Sequence, residues 1–584
     1  MQILNPGDEN RLEKPCLVET SQGFSVSYKN RFLYSKYSPK RAIEQAIRNM
    51  QILPNTLVLC ASPALWHGLD VLLEKIPDGC MILGIETDAS LSEFAESELE
   101  NLKNSNPEIF NSKRVEILPY NETNSIVEIL IGKEKSKVSF PHISTFKRAI
   151  MIEMSGGTLF GRDFYREIEN AAENAIASFW KNRITLANLG RLFSKNLLEN
   201  MANLPSSFDL KRVRATIDRP IIVFGAGEST QHLLDKIERK SLEKMFVLAV
   251  DAVVPALQAN GVRIDAVVAV EAQLAIEKAY IGGGAENSVI FADMSSRPAV
   301  TAHTKKGVCF FASEAADTNF FNHVAGLNFF PPVIPPLGSV GLTATYIALL
   351  LRKNISVPVF VTGLDFSYSL GKTHTGGTPQ QIARLSSSNR FSPKENYDAS
   401  FKIGAQKITG KNGKIVFTDI ALSGYAKSFS HTFCNQKNLF DVGECGIELG
   451  LAKADVSSSE FWNLMQAVPK CKTDFADGIS LAIKADSTRE EKRKDVLSFL
   501  ESEEKSLERI KELLIFGSDV AKCGTTVETE LSELISEREY LFIHFPDGHR
   551  FDISNISQLK RIRTETDFFL KTIRKGIRRI AKKS

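Results

Sequence analysis

Ile221-Ile222-Val223-Phe224-Gly225-Ala226-Gly227-Glu228-Ser229 is the stretch on which the reading of this chain turns. Four apolar residues without helical period stop at two glycines, and a helix-like segment from Gln231 to Arg239 follows. A parallel strand covered on both faces reads this way, as a continuous apolar run. The glycines let the chain turn sharply from strand to helix and bring backbone N–H groups to the helix start. Such a place suits a phosphate.

The pattern repeats downstream. Phe246–Asp251 and Asp265–Glu271 are apolar runs ending in an acid, and Val289–Asp293 is a third. Val308–Ala312 and Val357–Asp365 follow, the last after an apolar helix from about Val340 to Arg352. Strands alternating with helices imply an α/β fold built on a Rossmann-like doubly wound parallel sheet. Polar residues just past the carboxyl ends of such strands converge on the ligand crevice. Gly227, Ser229, Asp251, Glu271, Ser339, Asp365 and His374 all hold that position, which makes this edge the candidate active site.

The remaining chain frames this centre. At 584 residues it exceeds a single core. The organisation expected is an N-terminal degenerate Rossmann-like domain (1–155), a helical connector (156–210), a central catalytic domain (211–455) and a helical C-terminal domain (456–584). In the first, Thr56–Ser62 and Met81–Asp88 read as strands around a helix, with an acid where a ribose-binding carboxylate would sit. Its turn, Ala61-Ser62-Pro63-Ala64, lacks glycine, which favours a structural role over a nucleotide site. Aliphatic and aromatic residues at three- and four-residue steps over 160–204 give two connecting helices. Residues 379–438, rich in Ser, Asn, Gly and Lys, form an excursion over the site, with a hairpin about Asn412-Gly413.

Composition narrows the function. With 72 basic and 69 acidic residues the chain is near neutral, which argues against a general nucleic-acid binder. Eight cysteines (16, 60, 80, 309, 434, 445, 471 and 523) form no CxxC, and several sit in apolar strands as buried thiols do. No apolar leader and no run of about 18 apolar residues is seen, so a cytoplasmic location is expected. The last 25 residues carry ten basic and two acidic side chains, with Phe569, Ile573, Ile577 and Ile580 at helical spacing. A terminal helix with a solvated face explains this; a weaker alternative is a surface for an anionic membrane or acidic partner.

Glycines at a strand end, several carboxylates and one histidine suit transfer from a nucleotide-activated donor. Gly225 and Gly227 would bring amides to a phosphate, and Asp251 or Glu271 could accept sugar hydroxyls. His374, beside a Gly-Gly turn, has the chemistry of a general base for a hydroxyl acceptor.

In order, Gly225-Ala226-Gly227-Glu228-Ser229, Val250-Asp251, Gly261–Asp265 with Glu271, Gly338-Ser339-Val340, Gly363-Leu364-Asp365, Thr373-His374 and Glu444-Cys445-Gly446 resemble the motility-associated factor glycosyltransferases. The resemblance spans roughly residues 215–450. Where that family has Pro and Asp, this chain has Glu228 and Glu271. The resemblance implies inverting transfer of a sialic-acid-like nonulosonic sugar from a CMP-activated donor to Ser or Thr of flagellin. His374, Asp365 and Glu271 would carry the chemistry, with His374 either deprotonating the acceptor or protonating the departing phosphate. Gly225, Gly227, Ser229, Asp251, Gly338, Ser339, Thr373 and Glu444 would hold the donor. No Asp-x-Asp pair marks an obligatory metal, though separated carboxylates could hold one. The central fold also resembles 6-hydroxymethylpterin diphosphokinases, in which Asp251, Glu271 and Asp365 would gather a magnesium ion beside ATP. A non-enzymatic flagellin-binding scaffold is the remaining alternative.

Overall fold

The computed structural model describes residues 14–110, 114–314, 318–392, 398–468, 475–516, 525–548 and 551–582. Two compact units emerge, Met1–Asn188 and Leu189–Ser584. Six cysteines are free thiols, with Cys60, Cys309 and Cys445 buried; Cys471 and Cys523 lie outside the described residues.

In the first unit, β1 (Cys16–Thr20), β2 (Gly23–Tyr28) and β3 (Arg31–Phe32) make an antiparallel meander. β4 (Thr56–Ala61), β5 (Met81–Ile85), β6 (Arg114–Ile117) and β7 (Arg148–Glu153) form a parallel sheet ordered β6-β5-β4-β7. The glycine-free turn after β4 takes positive φ at Ser62, Ala64 and Trp66, a conformation side chains adopt only when the surroundings impose it. Glu86, past the end of β5, is fully buried and accepts the Ala64 N–H at 3.0 Å. Burial pushes its carboxyl up to about 8. The acid in the ribose position thus braces the turn from within.

The second unit is organised by a ten-stranded sheet in which every pairing is parallel. The six expected strands form: β9 (Ile221–Phe224), β10 (Phe246–Val250), β11 (Ala266–Ala269), β12 (Val289–Asp293), β13 (Val308–Ser313) and β15 (Val359–Thr362). Short strands β8 (Phe208–Asp209), β14 (Val333–Ile334), β18 (Leu439–Asp441) and β19 (Ala452–Lys453) extend it, too brief to carry a period in sequence. The order is β14-β13-β12-β11-β10-β9-β15-β18-β19, with β8 on β13. After β9 the chain winds outward through β10 to β13, then returns to β9's other side with β15. The strand order therefore reverses between β9 and β15, and a crevice opens at their carboxyl ends.

Around this sheet the helices follow the sequence with one correction. Residues 160–204 hold one continuous helix, Arg162–Met201, in place of two. No proline interrupts it, and its interior Gly190 is tolerated, a single glycine costing only about 1 kcal/mol. Helix Val340–Leu351 is apolar nearly all round and largely buried. The excursion contains helix Pro379–Ser386, the hairpin β16 (Gln406–Thr409) and β17 (Ile415–Thr418), and helix Ile420–Phe433.

Described residues of the 456–584 region contribute to the core of the central sheet. Helix Ile556–Ala581 lies along helix Arg489–Phe516, and Ile562, Phe569, Leu570, Ile573 and Ile580 are buried in that core. Its apolar stripe is thus spent on packing and is no face for a membrane, which corrects that alternative. Part of the basic side meets acids, with Arg574 bonded to Glu504 at 2.6 Å and to Glu508 at 2.5 Å. Among the described residues no helix is long and apolar enough to cross a membrane.

Candidate functional site

The site is built where β9 meets β15. Both strands end in glycine because their loops run almost in contact. A Cβ on Gly225 would fall 2.3 Å from Gly363 O, and one on Gly363 (φ +67) would fall 2.2 Å from Thr230 Oγ1. Gly225 N–H donates to Thr362 O at 2.8 Å and Gly227 N–H to Gly363 O at 2.9 Å. The two amides expected to cradle a phosphate are therefore spent on the neighbouring loop. These glycines serve close approach of backbone to backbone.

Asp365 closes this contact. Its Oδ2 accepts the Ser229 N–H at 2.9 Å, at the start of helix Ser229–Lys236, where a carboxylate suits the helix dipole. Asp365 Oδ1 is buried without a hydrogen-bond partner. Burial is the main reason its carboxyl rises to about 6, opposed by the Ser229 hydrogen bonds and the Lys411 ammonium. Glu228 does not confront the crevice bare: it accepts the Ser369 hydroxyl and pairs with Lys372 at 3.3 Å and His232 at 3.7 Å.

The loop carrying His374 is pinned to the glycine turn, since Thr375 N–H donates to Ala226 O at 2.9 Å. A Cβ on Gly377 would lie 3.3 Å from the Ala256 Cα, so the loop runs over the ends of β9 and β10. His374 is half-buried, and its Nδ1 meets Thr373 Oγ1 at 3.1 Å. Thr373, and not Asp365, is thus the group that orients the imidazole. Burial, followed by the nearby Arg384 guanidinium, lowers the imidazole below its ordinary value, which favours its neutral form.

The remaining candidates fall at graded distances from the switch point. Glu444 is half-buried, paired with Lys236 and 3.9 Å from His232. Ser339 caps helix Val340–Leu351, accepting Gly341 N–H at 3.3 Å. That helix start adjoins β15, because a Cβ on Gly341 would sit 2.5 Å from Leu364. Gly338 supplies the left-handed turn before the cap (φ +72). Asp251, one strand over at the end of β10, is buried; burial first, and then Glu271, push its carboxyl up to about 7. Glu271 is exposed at the end of β11, its Oε1 accepting Gln273 N–H at 2.9 Å. Among the described residues no three His, Cys, Asp or Glu side chains converge as a metal site, so Asp251, Glu271 and Asp365 do not gather on one ion.

Beside the two acids already named, three hydroxyls at this edge were not singled out in the sequence. Thr362 Oγ1, Thr375 Oγ1, Asp251 Oδ2 and Tyr280 OH are buried without a hydrogen-bond partner, as is Asp365 Oδ1. Buried polar atoms are nearly always satisfied, so a cluster of unspent ones around β10, β9 and β15 marks a place where a polar ligand can bind. Thr362 was legible as the last residue of its strand. Lys411, fully buried 2.6 Å from Asp441, was not, because a lysine beside Asn-Gly reads as a solvated turn residue.

Comparison with known proteins agrees with this architecture. The family model described as 6-hydroxymethylpterin diphosphokinase MptE-like matches residues 195–371. A Treponema pallidum (strain Nichols) protein, described only as an uncharacterized protein, is 30% identical over 570 residues, covering 96% of this chain and 95% of that one. The solved structure of MAf glycosyltransferase from Magnetospirillum magneticum AMB-1 is similar with a TM-score of 0.50, covering 97% of this chain and 90% of that chain. At 14% identity this last likeness speaks to the fold, and at that level it agrees with the resemblance read from the sequence.

Proposed function

This chain belongs to one family with the Treponema pallidum protein, and from that footing we propose that it is a glycosyltransferase. In this reading it moves a nonulosonic sugar from a CMP-activated donor to Ser or Thr hydroxyls of flagellin, in the cytoplasm. The observation that carries the reading is His374, on a loop pinned to the strand-order reversal by the Thr375–Ala226 bond and set beside unspent buried polar groups. The likeness in fold to a solved glycosyltransferase supports it.

A lowered imidazole is weighted toward the neutral form, whose free ring nitrogen takes a proton more readily than its N–H gives one. His374 therefore acts as general base: it removes the proton of the acceptor hydroxyl as that oxygen bonds to the anomeric carbon of the donor. The bond from that carbon to the phosphate oxygen breaks, and CMP leaves with the electron pair. With Nδ1 engaged by Thr373, Nε2 is the ring nitrogen left to take that proton. With the glycine amides spent, Ser339 and its helix start, the Thr362 and Thr375 hydroxyls and Asp251 are the groups offered to the donor.

The MptE-like match over residues 195–371 favours a second reading, diphosphate transfer from ATP to a pterin. That chemistry draws on clustered carboxylates, and among the described residues Asp251, Glu271 and Asp365 do not converge as a set of three. Titration calorimetry with CMP, and separately with ATP and magnesium, separates the two. Affinity for CMP alone supports sugar transfer, ATP-magnesium affinity alone supports the second reading, and neither supports a scaffold.

A further inference from the structure

We propose that Lys411 is a positioning residue of this site: carried in on the β16–β17 hairpin, it pairs with Asp441 and, through the Gly443–Gly446 loop, fixes the Gly225–Ser229 turn against the end of β15. The link to catalysis rests on the donor-site reading above; the geometry does not.

Lys411 and Asp441 are 1% and 2% exposed at the side chain and meet at 2.6 Å. An ammonium this deep persists only when paired, and breaking such a pair leaves an uncompensated charge. A Cβ on Gly443 would lie 3.0 Å from Ser229 Oγ, 3.1 Å from Asp441 Oδ1 and 3.2 Å from Lys411 Nζ. Those three groups thus surround one point, which only a glycine leaves open.

The Gly443–Gly446 loop is the coupling piece. On one side Lys411 N–H donates to Gly446 O at 2.8 Å, and a Cβ on Gly410 would fall 2.4 Å from that oxygen. On the other side Ile447 N–H donates to Asp365 O at 2.9 Å, and Cys445 N–H donates to Ser229 Oγ at 2.9 Å. Gly446 takes φ +96, and a Cβ there would lie 2.4 Å from Asp365 O. The hairpin, the loop and the Asp365–Ser229 bond are one interlocked unit.

Charge then decides how firmly that bond is held. Lys411 from the hairpin favours the ionised Asp365, while Asp441 at the end of β18 opposes it. The Cys445 thiol beside it is pushed up to about 11, mainly by burial, and stays neutral; Glu228, Glu444 and Lys414 lie around that thiol. An ionised Asp365 accepts the Ser229 N–H more strongly than a protonated one. Removing Lys411 or Asp441 must shift the protonation of Asp365 in opposite directions, which a merely space-filling Lys411 would not produce.

The test is amide hydrogen exchange of the peptide spanning Ser229–Lys236 from pH 4.5 to 8.5, corrected for intrinsic rates, in the full chain and in Lys411→Met and Asp441→Asn. In the unaltered protein protection weakens as the pH falls through about 6. Lys411→Met should move that midpoint up by about one pH unit or more, and Asp441→Asn should move it down. Midpoints that stay put, or move the same way, or protection lost equally at every pH, overturn the proposal. If Lys411→Met does not fold, Asp441→Asn decides alone: a lowered midpoint supports the proposal and an unchanged or raised one rejects it. CMP affinity followed over the same pH range is a separate arm. Its absence in the unaltered protein counts against the donor reading and leaves the exchange result standing.

Discussion

Asp365 Oδ2 accepts the backbone N–H of Ser229 at 2.9 Å across 136 residues of sequence, and this bond joins the two strands between which the sheet reverses its order. A Cβ on Gly227 would intrude on it, 2.5 Å from the same Oδ2 and 2.8 Å from Gly363 O. The glycines, the carboxylate and the helix start are therefore parts of one joint, and the site's geometry depends on that joint staying closed.

Gly227→Val should break the joint. Overpacking against backbone and a buried carboxylate costs about 2–3 kcal/mol, read as a lower urea midpoint with unchanged slope. Nucleotide affinity should fall with it. A variant within ~0.5 kcal/mol of the parent contradicts the closeness of the two loops.

Asp251 gives a pH signature with a definite sign. Its folded-state carboxyl sits at about 7, above the ordinary value near 4, so the folded protein holds this proton more tightly than the unfolded chain. Stability contributed by this group is present below about pH 4 and is lost as pH rises to about 7. Asp251→Asn should match the parent at pH 4 and exceed it at pH 8, by at most roughly 4 kcal/mol. Urea denaturation at both values checks this, and an equal gain at pH 4 and pH 8 would point to packing instead of charge.

Much of this was legible in the sequence. The apolar runs at 221, 246, 265, 289, 308 and 357 became strands because period-free apolar segments of that length can only be buried on both faces. His374 and Asp365 could be placed at this edge because they follow such strands. The meaning of Gly225 and Gly227 was not legible, since a glycine offering its amide and a glycine making room for another loop look alike until the neighbour is known. The Asp365–Ser229 bond and the Lys411–Asp441 pair join residues 136 and 30 positions apart, and a single sequence carries no signal for such pairings. The C-terminal helix showed its stripe plainly; what it lay against could not be read from its own residues.

That helix provides the third expectation. Phe569 is fully buried against Tyr540, ring centroids 4.9 Å apart. Phe569→Ala should cost ~3–5 kcal/mol of stability, through lost transfer energy and the cavity left behind. A loss below about 1 kcal/mol would return the helix to the role of a detachable basic tail.

Burial and Arg384 disfavour the charged form of His374. As a base it is active when deprotonated, so kcat should fall as pH drops through a value below the ordinary histidine range and stay level above it. His374→Ala should lose about 10²–10⁴ in rate while keeping donor affinity. Loss of affinity and melting temperature together, with the remaining rate independent of pH, assigns the residue to structure.

The central claim is sugar transfer, and its most direct measurement is the intact mass of purified flagellin incubated with this protein and a CMP-nonulosonate donor. The flagellin mass should rise by whole nonulosonate residues as CMP is released, and stay unchanged with His374→Ala. Flagellin of unchanged mass, with AMP formed instead when ATP, magnesium and hydroxymethylpterin are supplied, would contradict it.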